Sequence, residues 1–241
     1  MPRFALPADP DEAGLVTIAG SDAAHISGAL RIRAGDRFAA SRPGRLLELE
    51  VLRAGPAEVV ARVLYDVPEP AAPRVDLALL VSLPKKRLME PIIEKASEVG
   101  ARALQPVIAE RCIVRIDDEK AETRLVRWRR TAQESQKQCG RTEPLAVHPP
   151  VPLAEAVRQG WDRLYVLHES AEELLSPADA PGEGRVAALI GPEGGLSPGE
   201  VALAAEAGGI VRRLATNILK VDTAAMVAAA ILIASPWRPR R

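Results

Sequence analysis

Short apolar runs separated by turn signals characterise the first 70 residues of the chain. Leu46–Leu52 and Val59–Leu64 are apolar runs of strand length, and the turn-forming sequence Arg53-Ala54-Gly55-Pro56 lies between them. This pattern predicts two strands joined by a turn. A short helix is predicted from Ser21 to Leu30. We expect this part of the chain to form a small β-barrel.

The stretch of residues 68–73 (PEPAAP) has three prolines and no apolar periodicity. Such a composition is typical of a stiff linker. We therefore predict a domain boundary here, with one domain at residues 1–70 and a second at residues 74–241.

Apolar runs alternate with helical patterns after this linker. The predicted strands are Val75–Val81, Ala103–Ala109, Arg163–Leu167, Val186–Ile190 and Ile210–Leu214. The predicted helices include Met89–Val99 before Gly100, a long basic helix over Asp118–Gln138, and Asp222–Ser235. Strands that alternate with helices predict an α/β fold with a parallel sheet.

Composition narrows the class of protein. The 241 residues are 47% hydrophobic and only 3% aromatic, so aliphatic side chains must fill the core, and a chain of this length needs no disulfide for stability. The two cysteines and three histidines have no metal-ligand spacing. The longest apolar run, Ala224–Ala234, is 11 residues long, against the ~20 that span a bilayer, and the first residues contain no apolar signal segment. We expect a soluble cytoplasmic protein that binds neither a metal nor a membrane.

The net charge is zero, with 32 basic and 32 acidic side chains, but the basic residues are unevenly distributed. Six of them lie within Arg124–Arg141, where Glu134 is the single acidic residue. This stretch is either a solvated helix face or a phosphate-binding patch for nucleic acid.

The glycine-rich segment Leu189–Glu200 lies between a predicted strand and a predicted helix, where α/β folds place ligand-binding loops. It lacks the lysine of a Walker loop and the spacing of a dinucleotide fingerprint. Residues 195–199 match the G-x-S-x-G motif of hydrolases, but Pro198 cannot donate an oxyanion hydrogen bond and no histidine follows. Ser197 and Glu200 instead predict a capping box that begins a helix. Glu193 is either a turn former or a carboxylate that faces a ligand.

The order of several motifs is more specific than any one of them. The chain has K-A-S-E-V-G-A at 95–101, E-R-C at 110–112, Q-C-G-R at 138–141, L-I-G-P-E-G-G-L-S at 189–197 and I-L-K-V-D-T-A-A at 218–225. With His25–Asp36, this series resembles the RsmE family, the 16S rRNA uridine-N3 methyltransferases of the SPOUT superfamily. The resemblance implies a SPOUT-type parallel sheet with a C-terminal trefoil knot, preceded by a small PUA-like β-barrel that binds RNA. It also implies S-adenosylmethionine as cofactor, 16S rRNA of the small ribosomal subunit as partner, and a homodimer.

The resemblance also implies site residues. The expected cofactor-binding residues are Leu167, His168, Ile190, Gly191, Pro192, Glu193, Gly194, Gly195, Leu214, Asn217, Ile218 and Leu219. The expected RNA-binding residues are Arg31, Lys95, Arg111, Arg127, Arg130, Gln138 and Arg141.

The chemistry of the reaction suggests catalytic residues. Uracil N3 carries a proton that must be removed, and the resulting anion needs a cation or hydrogen-bond donors. Glu193 is the candidate base, and Lys220 or Arg141 the candidate contact for the anion. The chain has Leu214-Ala215-Thr216-Asn217 where the family has L-G-P-R, and Lys220 replaces an arginine. Two alternative functions are methylation of another RNA target and RNA binding by an assembly protein without catalysis.

The predicted C-terminal helix has no charged side chain from Thr223 to Ala234. A helix that is apolar on all sides must be buried on all sides. We expect the sheet to cover one face and a second copy of the chain to cover the other. Burial among helices of the same chain is the alternative.

Overall fold

The computed structural model describes residues 4–6, 9–42, 45–67, 75–85, 87–113 and 118–233. Contacts divide the chain into two compact units, one of residues 1–72 and 136–144 and the other of residues 73–135 and 145–241. The predicted linker at residues 68–73 lies outside the described residues. The sequence places one boundary near this linker, whereas the contacts also assign residues 136–144 to the first unit.

The first unit contains a five-stranded sheet in the order β1-β3-β4-β5-β2. Its strands are Phe4–Ala5 (β1), Leu15–Ala19 (β2), Arg37–Arg42 (β3), Arg45–Ala54 (β4) and Glu58–Val67 (β5). Neighbouring strands are antiparallel except for β1 and β3. Irregular pairing between β4 and β5 bends the sheet toward a barrel. The predicted helix is present as Ser21–Ala24 (α1), continued by a π-helical turn at His25–Ala29.

The second unit contains a seven-stranded parallel sheet in the order β12-β10-β11-β6-β7-β8, with β9 beside β7. Its strands are Val75–Ser82 (β6), Ala103–Ile108 (β7), Ala146–Val147 (β8), Val151–Pro152 (β9), Arg163–Leu167 (β10), Gly184–Ile190 (β11) and Gly209–Arg212 (β12). The helices are Met89–Val99 (α2), Asp118–Cys139 (α3), Leu153–Ala156 (α4), Pro198–Glu206 (α5) and Val221–Ile233 (α6). The predicted fold class, an α/β domain with a parallel sheet after a small barrel-like β domain, is confirmed.

Both faces of the parallel sheet are covered, which explains why its central strand β6 is apolar almost throughout. Leu77 and Leu79 point toward α2 and α6, whereas Ala78 and Leu80 belong to the core on the opposite face, with α4 and α5. Gly100 ends α2 in a left-handed conformation with φ 102°, as the sequence predicts.

Helix α6 is buried on one side only within the single chain. Ala225, Ala228, Ala229 and Leu232 are buried, because the helix packs on α2 and the sheet, whereas Thr223 and Ala230 are exposed. The described residues therefore do not cover the whole helix, and its burial by a second copy of the chain stays a prediction. The helix begins at Val221, and the predicted end at Ser235 lies outside the described residues.

Within the described residues, no helix is long and apolar enough to cross a membrane. The same residues hold no group of three or more histidine, cysteine or acidic side chains that could bind a metal ion.

Candidate functional site

A cavity of about 750 Å³, here called the main cavity, lies at the carboxyl ends of β6, β10, β11 and β12. The residues that follow these strands form its walls, because parallel strands end at the same edge of a sheet. All twelve residues expected to bind the cofactor line it: Leu167, His168, Ile190, Gly191, Pro192, Glu193, Gly194, Gly195, Leu214, Asn217, Ile218 and Leu219. These residues lie in three separate segments of the chain, which the sheet topology brings together.

The glycine-rich loop after β11 is closed by a tight turn, in which Gly195 N–H donates to Pro192 O at 2.8 Å. Gly195 has φ +70°, a conformation that strongly favours glycine. A Cβ atom on Gly191 would lie 3.0 Å from the backbone nitrogen of Leu196. The backbone conformation requires glycine at position 195, and close packing requires it at position 191.

Two neighbouring segments hold this loop. The backbone N–H of Lys85 donates to Glu193 Oε1 at 2.8 Å, and Arg111 Nη1 donates to Gly194 O at 3.0 Å. Glu193 is exposed, and its carboxylate therefore connects the loop to the segment after β6. Arg111, expected to bind RNA, supports the loop in this structure.

The capping box predicted at the start of α5 is present. Ser197 Oγ accepts a hydrogen bond from Glu200 N–H at 3.4 Å, and Glu200 Oε2 accepts one from Ser197 N–H at 2.8 Å. Glu200 Oε1 also accepts from Glu110 N–H at 2.7 Å. Ser197 thus caps a helix and is buried, as expected for a capping residue and not for the nucleophile of a hydrolase.

Charged side chains of both signs line the main cavity: Lys85, Arg213, Lys220, Glu169, Glu193 and Asp222. Lys220 is exposed, and no described residue forms an ion pair with it. Ile218, at 87% exposure, is an unusually open apolar residue of the wall. The cavity can therefore accept a ligand with both charged and apolar parts.

Arg213 is a cavity residue that the sequence analysis missed, because the predicted strand extends to Leu214 whereas β12 ends at Arg212. Its backbone is held by bonds to Glu173 O at 2.9 Å and from Leu175 N–H at 2.8 Å. Its Nε is buried and has no hydrogen-bond partner among the described residues. The one feature of the sequence that could have indicated Arg213 is its position directly before residues 214–217, the segment in which the family has an arginine and this chain has Asn217.

A network of charged side chains centred on Arg212 lies next to the main cavity. Arg212 contacts Glu173 at 2.8 Å and Asp179 at 3.3 Å, and its carbonyl accepts from His168 N–H at 2.9 Å. Burial favours the neutral form of Asp179, but hydrogen bonds from Ser176 and the charge of Arg212 outweigh it, so the pKa of Asp179 is lowered. The strand that carries Arg212 and the loop that begins at His168 are thereby joined.

Three of the expected RNA-binding residues form ion pairs with carboxylates of the same unit. Arg127 forms an ion pair with Glu90, Arg130 with Glu134 at 2.9 Å, and Lys95 with Glu98 at 3.0 Å. Each pair reduces the net positive charge that the sequence indicates.

The remaining predicted residues lie in the first unit. Arg31 is exposed and adopts φ +55°, and Gln138 is exposed near the end of α3. Arg141 is not among the residues that line the main cavity. Its assignment as a catalytic residue stays a prediction.

Comparisons with known proteins agree with this architecture. A family model described as RNA methyltransferase domain matches residues 71–233. The chain is 33% identical to ribosomal RNA small subunit methyltransferase E of Mycobacterium bovis, over 95% of this chain and 90% of that protein.

Two similar solved structures contain S-adenosylmethionine. The methyltransferase E of Neisseria gonorrhoeae is 26% identical, with a TM-score of 0.83 over 95% of both chains. A methyltransferase of Legionella pneumophila is 26% identical, with a TM-score of 0.83 over 96% of both chains. By sequence and by fold, this chain belongs to the ribosomal RNA small subunit methyltransferase E family.

Proposed function

We propose that this protein transfers a methyl group from S-adenosylmethionine to N3 of a uridine in 16S rRNA. The observation that carries the proposal is the main cavity, whose walls combine the glycine-rich loop with residues 214–219. Similar proteins of Neisseria gonorrhoeae and Legionella pneumophila hold S-adenosylmethionine in their crystals.

The residues of the main cavity fit this cofactor. Its volume of about 750 Å³ lies in the range of small-molecule sites. The unpartnered Nε–H of Arg213 offers a hydrogen bond to an acceptor such as a carboxylate oxygen. Backbone groups of Gly191–Gly195 and residues 214–219 would hold the uncharged parts.

S-adenosylmethionine supplies a methyl group already activated on a sulfonium, so the protein chiefly aligns the reactants and prepares the nucleophile. The hydrogen bond from Lys85 N–H orients the Glu193 carboxylate. In the proposal, Glu193 accepts the N3 proton, and Lys220 stabilises the negative charge left on uracil. Arg141 is the alternative contact for that charge.

The RNA substrate must present an accessible base. N3 lies on the pairing edge of uracil, so the target uridine must be unpaired or flipped out. The first unit, of PUA-like type by resemblance, is proposed to bind RNA. Its residues 1–72 carry 8 basic and 10 acidic side chains, which favours recognition by shape over charge. Because the proposed substrate is rRNA, the proposed location is the cytoplasm.

The proposed active form is a homodimer. On one side of helix α6, Thr223 and Ala230 are exposed and Met226 and Val227 are only partly buried. A partner's matching helix would bury this apolar side, and small residues such as Ala230 permit close approach.

A methylation assay tests the proposal. Small ribosomal subunits from cells lacking this protein are incubated with it and labelled S-adenosylmethionine, and modified nucleosides are identified by mass spectrometry. We expect N3-methyluridine at one position of 16S rRNA, visible as a stop in reverse transcription because the pairing edge is blocked. A methyl group on another atom or another RNA would support the first alternative. Absence of any transfer, with S-adenosylmethionine unbound, would support the assembly protein.

A further inference from the structure

A second, smaller cavity lies between the segment after β6, the start of α2 and helix α3. It measures about 160 Å³, and five of its side chains, Arg87, Glu90, Arg124, Arg127 and Trp128, are polar or charged. We call it the arginine cavity. Among the described residues that line it, three arginines stand against one carboxylate, which leaves an excess of positive charge.

Two polar atoms of residues that line the arginine cavity have no hydrogen-bond partner in the described part of the chain. Trp128 is only 2% exposed, and its indole Nε1 has no hydrogen-bond partner among the described residues. Glu90 pairs with Arg127 through Oε1, whereas its buried Oε2 is likewise unpartnered. A buried polar group without a partner costs about 1–3 kcal/mol, so it usually faces a ligand or an ordered water. The Trp128 N–H needs an acceptor, whereas Glu90 Oε2 needs a donor such as a water and is not an argument for an anion.

The donors indicate the chemistry of the ligand. Arginine binds phosphate oxygens through two parallel hydrogen bonds, and the indole N–H can donate only. An anion with several acceptor oxygens satisfies Trp128 Nε1 and uses the excess positive charge of Arg87 and Arg124. A phosphate group has this chemistry and fits the volume.

The position of the arginine cavity connects it with the main cavity. Leu83, Pro84 and Arg87 line the arginine cavity, and Lys85 and Leu88 of the same segment line the main cavity. Glu193 holds this segment through the backbone of Lys85. The two cavities therefore share one wall segment.

We propose that the arginine cavity binds a backbone phosphate of the RNA substrate, close to the nucleotide that enters the main cavity. This inference rests on the proposed function for the identity of the substrate as RNA. It assigns Trp128 and Arg124 a role in substrate binding that is separate from cofactor binding.

The test uses the full chain and a fluorescent short oligouridylate, with affinity measured by anisotropy over a series of KCl concentrations. The variants are Arg124→Gln, Trp128→Phe and the matched control Arg158→Gln, which removes the same charge at an exposed position that lines neither cavity. We expect Arg124→Gln to weaken RNA binding about tenfold and to reduce the salt slope by about 0.7. Trp128→Phe should weaken binding about tenfold with an unchanged slope, because it removes an uncharged donor.

Affinity for S-adenosylmethionine, measured by calorimetry, should be unchanged in every variant. RNA affinities of Arg124→Gln and Trp128→Phe equal to that of Arg158→Gln would overturn the proposal, as would a wild type that does not bind the oligouridylate. If Trp128→Phe does not fold, the comparison of RNA affinity between Arg124→Gln and Arg158→Gln tests the proposal. Effects on RNA binding without any methyl transfer or cofactor binding would refute the proposed function and retain the phosphate site.

Discussion

Replacing Gly191 by alanine tests whether the backbone of the glycine-rich loop shapes the cofactor site. The added Cβ would lie 3.0 Å from the backbone nitrogen of Leu196, 3.1 Å from its Cγ and 3.3 Å from the carbonyl carbon of Gly195. Two of these three atoms belong to the loop backbone, so the loop itself must widen. A side-chain rotation cannot relieve the contact.

The magnitude follows from the cost of overpacking. Forcing a methyl group into a filled site costs about 1–3 kcal/mol, and we expect Gly191→Ala to lower the free energy of unfolding by about 1–2 kcal/mol. Because the shifted backbone lines the main cavity, S-adenosylmethionine affinity should fall by about tenfold, which corresponds to about 1.4 kcal/mol.

Gly199→Ala is the matched control. Its Cβ would meet only Ser197 Oγ, at 3.9 Å, and the position lies in the first turn of α5. We expect the free energy of unfolding to rise by about 0.4–1 kcal/mol and cofactor affinity to stay unchanged. Urea unfolding and titration calorimetry measure both quantities. A Gly191→Ala variant as stable as the wild type, with the same cofactor affinity, would refute the reasoning.

Three further predictions concern other groups. Glu193→Gln keeps an oxygen that can accept from Lys85 N–H but cannot take a proton, so the methylation rate should fall by about 10²–10⁴-fold with cofactor affinity retained; a retained rate would leave Glu193 with a positioning role only. Ala230→Glu should convert a dimer to a monomer in sedimentation, whereas Ala229→Glu, at a fully buried position, should unfold the chain; a monomeric wild type would contradict the dimer. The lowered pKa of Asp179 means that its charged form stabilises the folded state. Asp179→Asn should therefore lower the free energy of unfolding by about 1 kcal/mol at neutral pH. In urea unfolding, the difference between variant and wild type should disappear as the pH falls below 3.8 and through the lowered pKa of Asp179. A difference that does not change with pH would show that the carboxylate charge is unimportant.

Local patterns in the sequence predict much of the second unit. Strand β10 has its predicted bounds, and α2 ends at Gly100, because each pattern depends on residues a few positions apart. The same holds for the capping box of Ser197 and Glu200. These features follow from backbone geometry and the period of buried positions, which the sequence displays directly.

Short strands in the first unit are harder to predict. Strands β1, β2 and β3 have only two to six residues. The strands that pair with β1 and β2 lie far away in sequence, whereas β3 pairs with β4, the next strand along the chain. The assignment of residues 136–144 to the first unit is also hard to predict from the sequence, because it depends on contacts between distant segments. It depends on contacts such as Lys137 Nζ to Asp22 Oδ2 at 2.9 Å, between residues 115 positions apart.

The sequence by itself determined which residues could form the site: a glycine-rich loop, the carboxylate of Glu193 within it, and the segment of residues 214–219 before α6. Only the tertiary structure decided what each of them contacts. Glu193 accepts a hydrogen bond from the backbone of Lys85, 108 positions away, and Arg213 Nε is buried without a hydrogen-bond partner among the described residues. The physical reason is that a hydrogen bond depends on the distance between two atoms in space, and for distant segments the packing of the sheet and helices sets that distance.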